Sequence, residues 1–234
     1  QLITENKHYW NWKGWDISWS KDGEDLSPSP SIVLIHGFGA SKEHWRHNQP
    51  ILSELSDCYA IDLIGFGNSS QPRARLKGEQ KNNNNFAYNF DNWAEQVTDF
   101  CREIVQRPVL LIGNSIGGVI ALRASQMLQK ECSGVILVSC ATRALDDKRL
   151  GEQPNYLQLI RPWIKTLVRQ RWLSINLFRN AASLSVIKRV LKQAYPSGSN
   201  VDDNLLHLLQ KPSQRTGAPE AFHGFINLFD DYLA

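Results

Sequence analysis

Residues 109–118, with the sequence VLLIGNSIGG, constrain the fold more than any other part of the chain. The four apolar residues predict a buried strand, and the segment after Gly118 predicts a helix. Between them lies Ser115, two positions from Gly113 on one side and from Gly117 on the other. A serine at a sharp strand-to-helix turn has a strained backbone, and only glycine fits two positions away. We therefore predict that Ser115 projects above the end of a sheet strand.

Other apolar runs place this turn in an α/β protein. Buried strands are predicted within residues 32–35, 58–65, 109–114 and 134–140, and amphipathic helices alternate with them. This alternation predicts right-handed βαβ units, a mostly parallel sheet and helices on both of its faces. An N-terminal hairpin is predicted from the alternating bulky and polar residues at 9–23.

The pattern changes after Cys140. From about residue 155 to 233 the sequence predicts helices and no further buried strand. We expect residues 1–140 to form the N-terminal part of an α/β core and residues 141–234 a helical cap, with the C-terminal strands of the core absent. The polar segment 68–89, which contains a run of asparagines, is predicted to be a long loop.

A second motif indicates chemistry at Ser115. The first buried strand ends in His36-Gly37-Phe38-Gly39. An oxyanion hole needs one backbone N–H from the residue after the nucleophile and another from an earlier loop. The amides of Ile116 and Phe38 fit these two roles.

The order HGFG, then D-x-x-G-x-G-x-S, then G-N-S-x-G-G resembles the α/β-hydrolase superfamily over residues 31–140. Finer features are similar to pheophytinase and related chlorophyll dephytylases, among them the asparagine before Ser115, the helix at 91–105 and the segment 190–205. The resemblance implies a serine hydrolase that cleaves the phytyl ester of a chlorophyll-type pigment, with no cofactor and no metal. Cofactor-free haloperoxidases, C–C bond hydrolases and an inactive pigment- or lipid-binding protein are the alternatives.

The base and the acid of a catalytic triad are not evident. In this superfamily the acid and then the histidine follow the serine. After Ser115 the sequence contains only two histidines, His207 and His223. We expect His207 to be packed within a helix and His223 to lie at a helix break. His36 is expected to support its loop, Asp62 to be structural, and Asp146 and Asp147 to be exposed. We therefore expect the chain alone to be incomplete and inactive.

The cap contributes two further predictions. Its apolar residues either line a pocket for a bulky lipophilic ester or pack the cap onto the core, and Trp163 and Trp172 are the candidate pocket walls. Between residues 143 and 192 eleven Lys and Arg face three acidic residues, which favours either an anionic membrane surface or ordinary solvated helix faces.

Composition bounds the remaining properties. A net charge of +3 requires no nucleic-acid partner, and no apolar run reaches the ~18 residues of a membrane span. The four cysteines are expected to be buried free thiols, which suits an intracellular protein, soluble or peripheral, of a plastid-like compartment or a bacterial cytoplasm. The oligomeric state is left open by the sequence.

Overall fold

The computed structural model describes residues 8–24, 29–141, 163, 165–194 and 203–228. The described residues fall into two compact units. Residues 8–70 and 90–141 belong to the core unit, and residues 71–89 and 163–228 belong to the helical unit. Asp146 and Asp147, which we expect to be exposed, lie outside the described residues. The sequence analysis placed 71–89 in the core, whereas the structure groups this segment with the helices.

The core unit contains a sheet of six described strands: β1 (His8–Trp12), β2 (Trp15–Asp22), β3 (Ser31–Ile35), β4 (Cys58–Ile61), β7 (Val109–Asn114) and β8 (Cys132–Val138). Their order in the sheet is β1-β2-β4-β3-β7-β8. Two antiparallel pairings connect β1, β2 and β4, and the other pairings are parallel. The predicted mostly parallel α/β architecture is confirmed.

The predicted N-terminal hairpin is also present. Its turn consists of Lys13 and Gly14, both with positive φ, as the two-residue turn of a twisted hairpin requires. The indole N–H groups of Trp10 and Trp12 donate to Glu103 and Asp99 at 2.9 and 2.8 Å. These bonds hold the hairpin against the helix that precedes β7.

That helix, α2 (Phe90–Phe100), follows a short α1 (Gln49–Leu52) and is continued by a π-helical turn, Cys101–Val105. This helix and turn bury one apolar stripe, formed by Trp93, Val97, Phe100, Cys101 and Val105. Asp91 lies inside its first turn and pairs with Arg123. After β7 comes α3 (Ile116–Leu128).

The strands differ in burial according to their position in the sheet. All five residues of β3 are buried because β3 pairs with β4 on one side and β7 on the other. At the other extreme, Ile136, Leu137 and Val138 of β8 are exposed by 37–46%. The centre of the sheet, next to the Ser115 turn, is therefore the best-packed part of the core unit.

The helical unit contains four described α-helices and a small parallel strand pair. The strands are β5 (Arg73–Ala74) and β6 (Asn85–Phe86), and the helices are α4 (Arg171–Ala181), α5 (Leu184–Ala194), α6 (Asp203–Ser213) and α7 (Ala218–Ile226). Glu220 of α7 accepts the N–H of Ala74 and pairs with Arg171. These long-range contacts explain why residues 71–89 belong with the helices.

Candidate active site

Ser115 lies at the turn between β7 and α3, as predicted. Its φ of 55° is in the left-handed region, which is unfavourable for a residue with a side chain. The turn is held because the Ser115 N–H donates to the Val138 carbonyl at 3.0 Å, and the Ala141 N–H donates to the Ser115 carbonyl at 3.1 Å. The last residue of β8 and the segment just after that strand thus bind the N–H and the carbonyl of Ser115.

The two glycines flanking Ser115 are required by space. A Cβ on Gly113 would overlap the backbone of Gly117, and a Cβ on Gly117 would overlap the carbonyl oxygens of Ile35 and His36. The first turn of α3 therefore packs directly against the ends of β7 and β3. The steric argument made from the sequence is confirmed.

The loop after β3 lies against Ser115. A Cβ built on Gly37 would be 3.1 Å from the Cβ of Ser115 and 3.0 Å from Oδ1 of Asn114. Phe38 follows in this loop, and its ring packs on Phe66 with the centroids 5.2 Å apart. The structure thus brings the Phe38 loop next to the first residue of α3, Ile116. The oxyanion roles of the Phe38 and Ile116 amides stay a prediction.

Asp62 anchors the loop that follows β3. Its carboxylate is fully buried; Oδ1 accepts the N–H of Lys42 at 2.6 Å, and Oδ2 accepts the N–H of Asn68 at 2.9 Å. Gly67 leaves no room for a Cβ because the Asp62 carboxylate occupies that space. Asp62 is structural, as predicted, and it connects the loop after β3 with the loop after β4.

Lys42 is the residue that the sequence analysis missed. Its side chain is only 2% exposed, and its Nζ lies 2.7 Å from Oε1 of Glu43 and 3.8 Å from Oδ2 of Asp62. Burial alone would lower the pKa of Lys42, but the two carboxylates outweigh burial and raise it. A lysine within an exposed-looking loop gives no sequence signal of burial.

His36 is occupied by backbone groups on both ring nitrogens. Nδ1 donates to the Gly37 carbonyl at 2.7 Å, and Nε2 accepts the N–H of Leu63 at 3.0 Å. Acceptance by Nε2 requires the neutral ring, and burial lowers the pKa of His36 accordingly. His36 supports the loop and is not placed to act as a base, as the sequence analysis expects.

The histidines after Ser115 differ from expectation. His207 is exposed on α6 rather than packed, because Leu205 and Leu206 take the inner face of that helix. His223 lies inside α7 rather than at a helix break, and it is 1% exposed with Nδ1 2.9 Å from Oγ of Ser174. Among the described residues, none forms a hydrogen bond with the Ser115 hydroxyl.

Trp163 and Trp172, the candidate pocket walls, have exposed side chains, at 79% and 63%. Their role in a pocket stays a prediction. The four cysteines are free thiols, but only Cys58 and Cys101 are buried; Cys132, the first residue of the exposed strand β8, and Cys140, just after it, are half-buried. Burial raises the pKa of the Cys58 thiol to about 12.

Within the described part of the chain, no three His, Cys, Asp or Glu side chains cluster in a way that could hold a metal ion. The helices described also include none with the length and apolar character needed to cross a bilayer.

The sheet order and the glycine-bounded turn at Ser115 are those of a known class. Residues 30–205 match the family model described as the alpha/beta hydrolase fold, and the chain belongs to this family. The solved structure of the epoxide hydrolase CorEH is similar, with a TM-score of 0.75 at 16% identity over 96% of this chain and 73% of that one. The solved structure of a meta-cleavage product hydrolase from Pseudomonas fluorescens IP01 is similar with a TM-score of 0.65 at 19% identity, over 97% of this chain and 72% of that one.

Curated relatives are similar over a shorter segment. The chain is 30% identical over 156 residues to the 1-acylglycerol-3-phosphate O-acyltransferase ABHD5 of Rattus norvegicus, which covers 65% of this chain and 39% of the relative. It is 27% identical over 152 residues to a (lyso)-N-acylphosphatidylethanolamine lipase of Mus musculus, covering 63% and 41%. The chain thus spans about two fifths of the length of these relatives.

Proposed function

We propose that Ser115 is the nucleophile of a carboxylic-ester hydrolase that acts on a bulky lipophilic ester. The single observation that carries this proposal is the geometry of Ser115: a positive-φ serine at the N-terminus of α3, with the Gly37 backbone against its Cβ. Such a turn exposes a hydroxyl beside unpaired amide groups at a helix end, where negative charge is stabilised. The half-exposed Ser115 side chain is accessible to a substrate.

The reaction would proceed through an acyl-serine. Ser115 Oγ attacks the ester carbonyl, its proton passes to a base, and the amides of Phe38 and Ile116 stabilise the oxyanion. The alcohol leaves with a proton, and water then releases the acid. Because His36 is engaged by backbone groups, we propose that the base and the acid come from residues outside the described part of the chain.

The substrate proposal is a lipophilic ester of the kind found in pheophytin or in glycerolipids. Two observations support it: the resemblance of the motifs around Ser115 to chlorophyll dephytylases, and the names of the curated relatives, which refer to an acyltransferase and a lipase acting on lipids. An inactive lipid- or pigment-binding protein is the second candidate, favoured by the absence of a histidine bonded to Ser115 in the described residues.

A serine-directed fluorophosphonate probe tests the nucleophile. We would compare the 234-residue chain with one extended by the downstream coding sequence, each with and without Ser115→Ala. We expect labelling and hydrolysis of pheophytin or a long-chain acyl ester in the extended protein, both abolished by Ser115→Ala. Losing the nucleophile of a complete triad lowers kcat by about a millionfold.

The other outcomes are equally informative. Labelling that survives Ser115→Ala would refute the assignment of the nucleophile. Tight pigment or lipid binding with no labelling in the extended protein would replace the hydrolase with the binding protein. Ser115-dependent turnover by the 234-residue chain alone would contradict the expectation that this chain is inactive by itself.

A further inference from the structure

Residues 163–194 of the helical unit, which include α4 and α5, carry an unusual combination of exposed side chains. Residues 163–194 contain seven Lys or Arg and no Asp or Glu. Large apolar side chains are exposed in the same segment, at Trp163, Leu167, Trp172, Leu177 and Leu184. Soluble helices rarely expose tryptophan and leucine together with an unbalanced positive charge, whereas helices that lie on membranes do.

The packing of α4 defines its outer face. Oγ of Ser174 lies 2.9 Å from Nδ1 of His223, and the ring centroids of Phe178 and Phe222 are 5.6 Å apart, so Ser174 and Phe178 face α7. Trp172 and Arg179 are seven residues apart and therefore lie on one side of α4, away from this contact. Both of them are exposed. The outer face of α4 thus presents an indole and a guanidinium to solvent.

The packing of α5 gives the same result. Ile187 and Leu191 pack with Leu205 and Leu206 of α6. Lys188 and Lys192 follow Leu184 at intervals of four residues, and Arg189 is adjacent, so these residues form the outer face of α5. All four are exposed.

The cations of this outer face differ from Arg171 in their charge partners. In the described part of the chain, Arg179, Lys188, Arg189 and Lys192 form no ion pair, whereas Arg171 on the inner side is paired with Glu220. A charge that only stabilised the fold would be paired in this way. Unpaired cations beside exposed apolar groups are instead complementary to anionic headgroups above an acyl layer.

We propose that the outer faces of α4 and α5 dock the protein on an anionic lipid bilayer. Lys188, Arg189, Lys192 and Arg179 would contact the headgroups, and Trp172 would insert at the headgroup–acyl boundary. The proposal goes beyond the hydrolase activity and does not depend on it, because it involves no residue of the Ser115 turn. Docking would place the protein where lipophilic esters are concentrated.

Vesicle flotation tests the electrostatic part. The full chain is mixed with vesicles of equal parts phosphatidylcholine and phosphatidylglycerol, or of phosphatidylcholine alone. We expect binding to the anionic vesicles, weakened by salt, and little binding to the neutral ones. The triple variant K188E/R189E/K192E should bind at least about 100-fold more weakly, since each cation near an anionic surface contributes about fivefold.

A matched variant controls for net charge. K81E/K130E/K211E reverses three other exposed lysines and changes the total charge equally. It should reduce vesicle binding far less than the α5 triple variant. Equal losses in the two variants, or equal binding to neutral and anionic vesicles, would overturn the proposal.

Trp172→Ala tests the apolar part. We expect about tenfold weaker vesicle binding, because most of the indole is available for burial in the bilayer. Leu55→Ala, at a comparably exposed apolar residue of the core unit, should have no effect. Heparin, a soluble polyanion, serves as the comparison ligand. The bilayer proposal is wrong, and the surface binds polyanions in general, if two results occur together. In that case Trp172→Ala leaves vesicle binding intact, and the α5 triple variant loses binding to heparin and to vesicles equally. Ser115→Ala should bind vesicles normally, so failure of docking and failure of the hydrolase are separable.

Discussion

The two units of the chain stabilise their buried polar side chains in different ways. In the core unit, Asp62 and His36 bind backbone N–H and C=O groups of loops around the Ser115 turn. In the helical unit, side-chain partners predominate: His223 binds the side chain of Ser174, and Glu220 pairs with Arg171 while also accepting the N–H of Ala74. Backbone partners cannot change rotamer, so the core unit holds fixed loop positions. Side-chain partners hold helices together while leaving their outer faces open to vary.

If this comparison is correct, changes at the glycine contacts of the core unit should be the most damaging. Gly117→Ala places a Cβ on the carbonyl oxygens of Ile35 and His36, which belong to the rigid end of β3. We expect a loss of about 3 kcal/mol or more in the free energy of unfolding, or no folded protein. Urea unfolding followed by tryptophan fluorescence measures it.

Gly134→Ala is the matched control. Its Cβ would meet only the end of the Leu110 side chain, at 3.3 Å, and that side chain can move. We expect a change within about 1 kcal/mol. Equal losses at Gly117 and Gly134 would show that the backbone contact below Ser115 is not the rigid element we describe.

The next largest effect should compare a buried carboxylate that accepts two backbone N–H groups with one that accepts a single backbone N–H. Asp62→Ala removes the acceptor of the Lys42 and Asn68 N–H groups and leaves the Lys42 ammonium with Glu43 as its remaining carboxylate. We expect a loss of about 3–5 kcal/mol. Glu220→Ala removes a partly exposed carboxylate that pairs with Arg171 and accepts the Ala74 N–H, and it should cost about 1–2 kcal/mol.

Both variants are measured by urea unfolding, together with Asp62→Asn, which keeps one acceptor oxygen and should be intermediate. A loss at Glu220 as large as that at Asp62 would remove the distinction between the units.

The Ser115 turn and the central strands could be predicted because their signals are local. Gly113 and Gly117, each two residues from Ser115, indicate a steric requirement at the turn. An unbroken apolar run indicates a strand that is buried on both faces. The structural role of Asp62 was also accessible, although its partners were not. Lys42 could not be found, since its burial depends on the distant Asp62 carboxylate.

The division of the chain was harder to predict than its strands. The segment 71–89 is far in sequence from the helices of its unit: the contact between Ala74 and Glu220 spans 146 residues. No periodicity encodes such a contact. His223 was placed wrongly for the same reason: its environment comes from Ser174 of another helix, whereas the following Gly224 indicates a break only when the helix is considered alone.

The buried histidines predict how the units respond to acid. Burial and, for His223, the nearby Arg171 lower both pKa values below the ordinary 6.5. The unfolded chain therefore binds protons first, and stability that is complete above pH 6.5 is lost as the pH falls below it. At His223, Glu220 and Glu79 oppose the lowering of the pKa, and Arg73 reinforces it. At His36, Asp62 opposes the lowering of the pKa, and Lys42 and His44 reinforce it.

His223→Asn keeps a donor near Ser174 but does not titrate. Its urea midpoint should fall less steeply than that of the wild type between neutral pH and the onset of acid unfolding. The remaining slope reports His36 and the other groups of the core unit. An unchanged slope would mean that the helical unit is not the acid-sensitive part.

The smallest effect concerns the hairpin on the outside of the core unit. Trp12→Phe keeps the buried ring but removes the 2.8 Å hydrogen bond to Asp99, and we expect a loss of about 1 kcal/mol because Asp99 can recover water. Glu95→Gln breaks the neighbouring ion pair with Lys13, whose side chains are about half exposed, and should cost less than about 1 kcal/mol. Urea unfolding in low and high salt distinguishes the two, since salt screens only the ion pair appreciably. If Glu95→Gln proved the more damaging, exposed charge rather than hydrogen bonding would hold the hairpin. The conclusion that fixed hydrogen bonds stabilise the core unit would then not apply to the hairpin at the edge of its sheet.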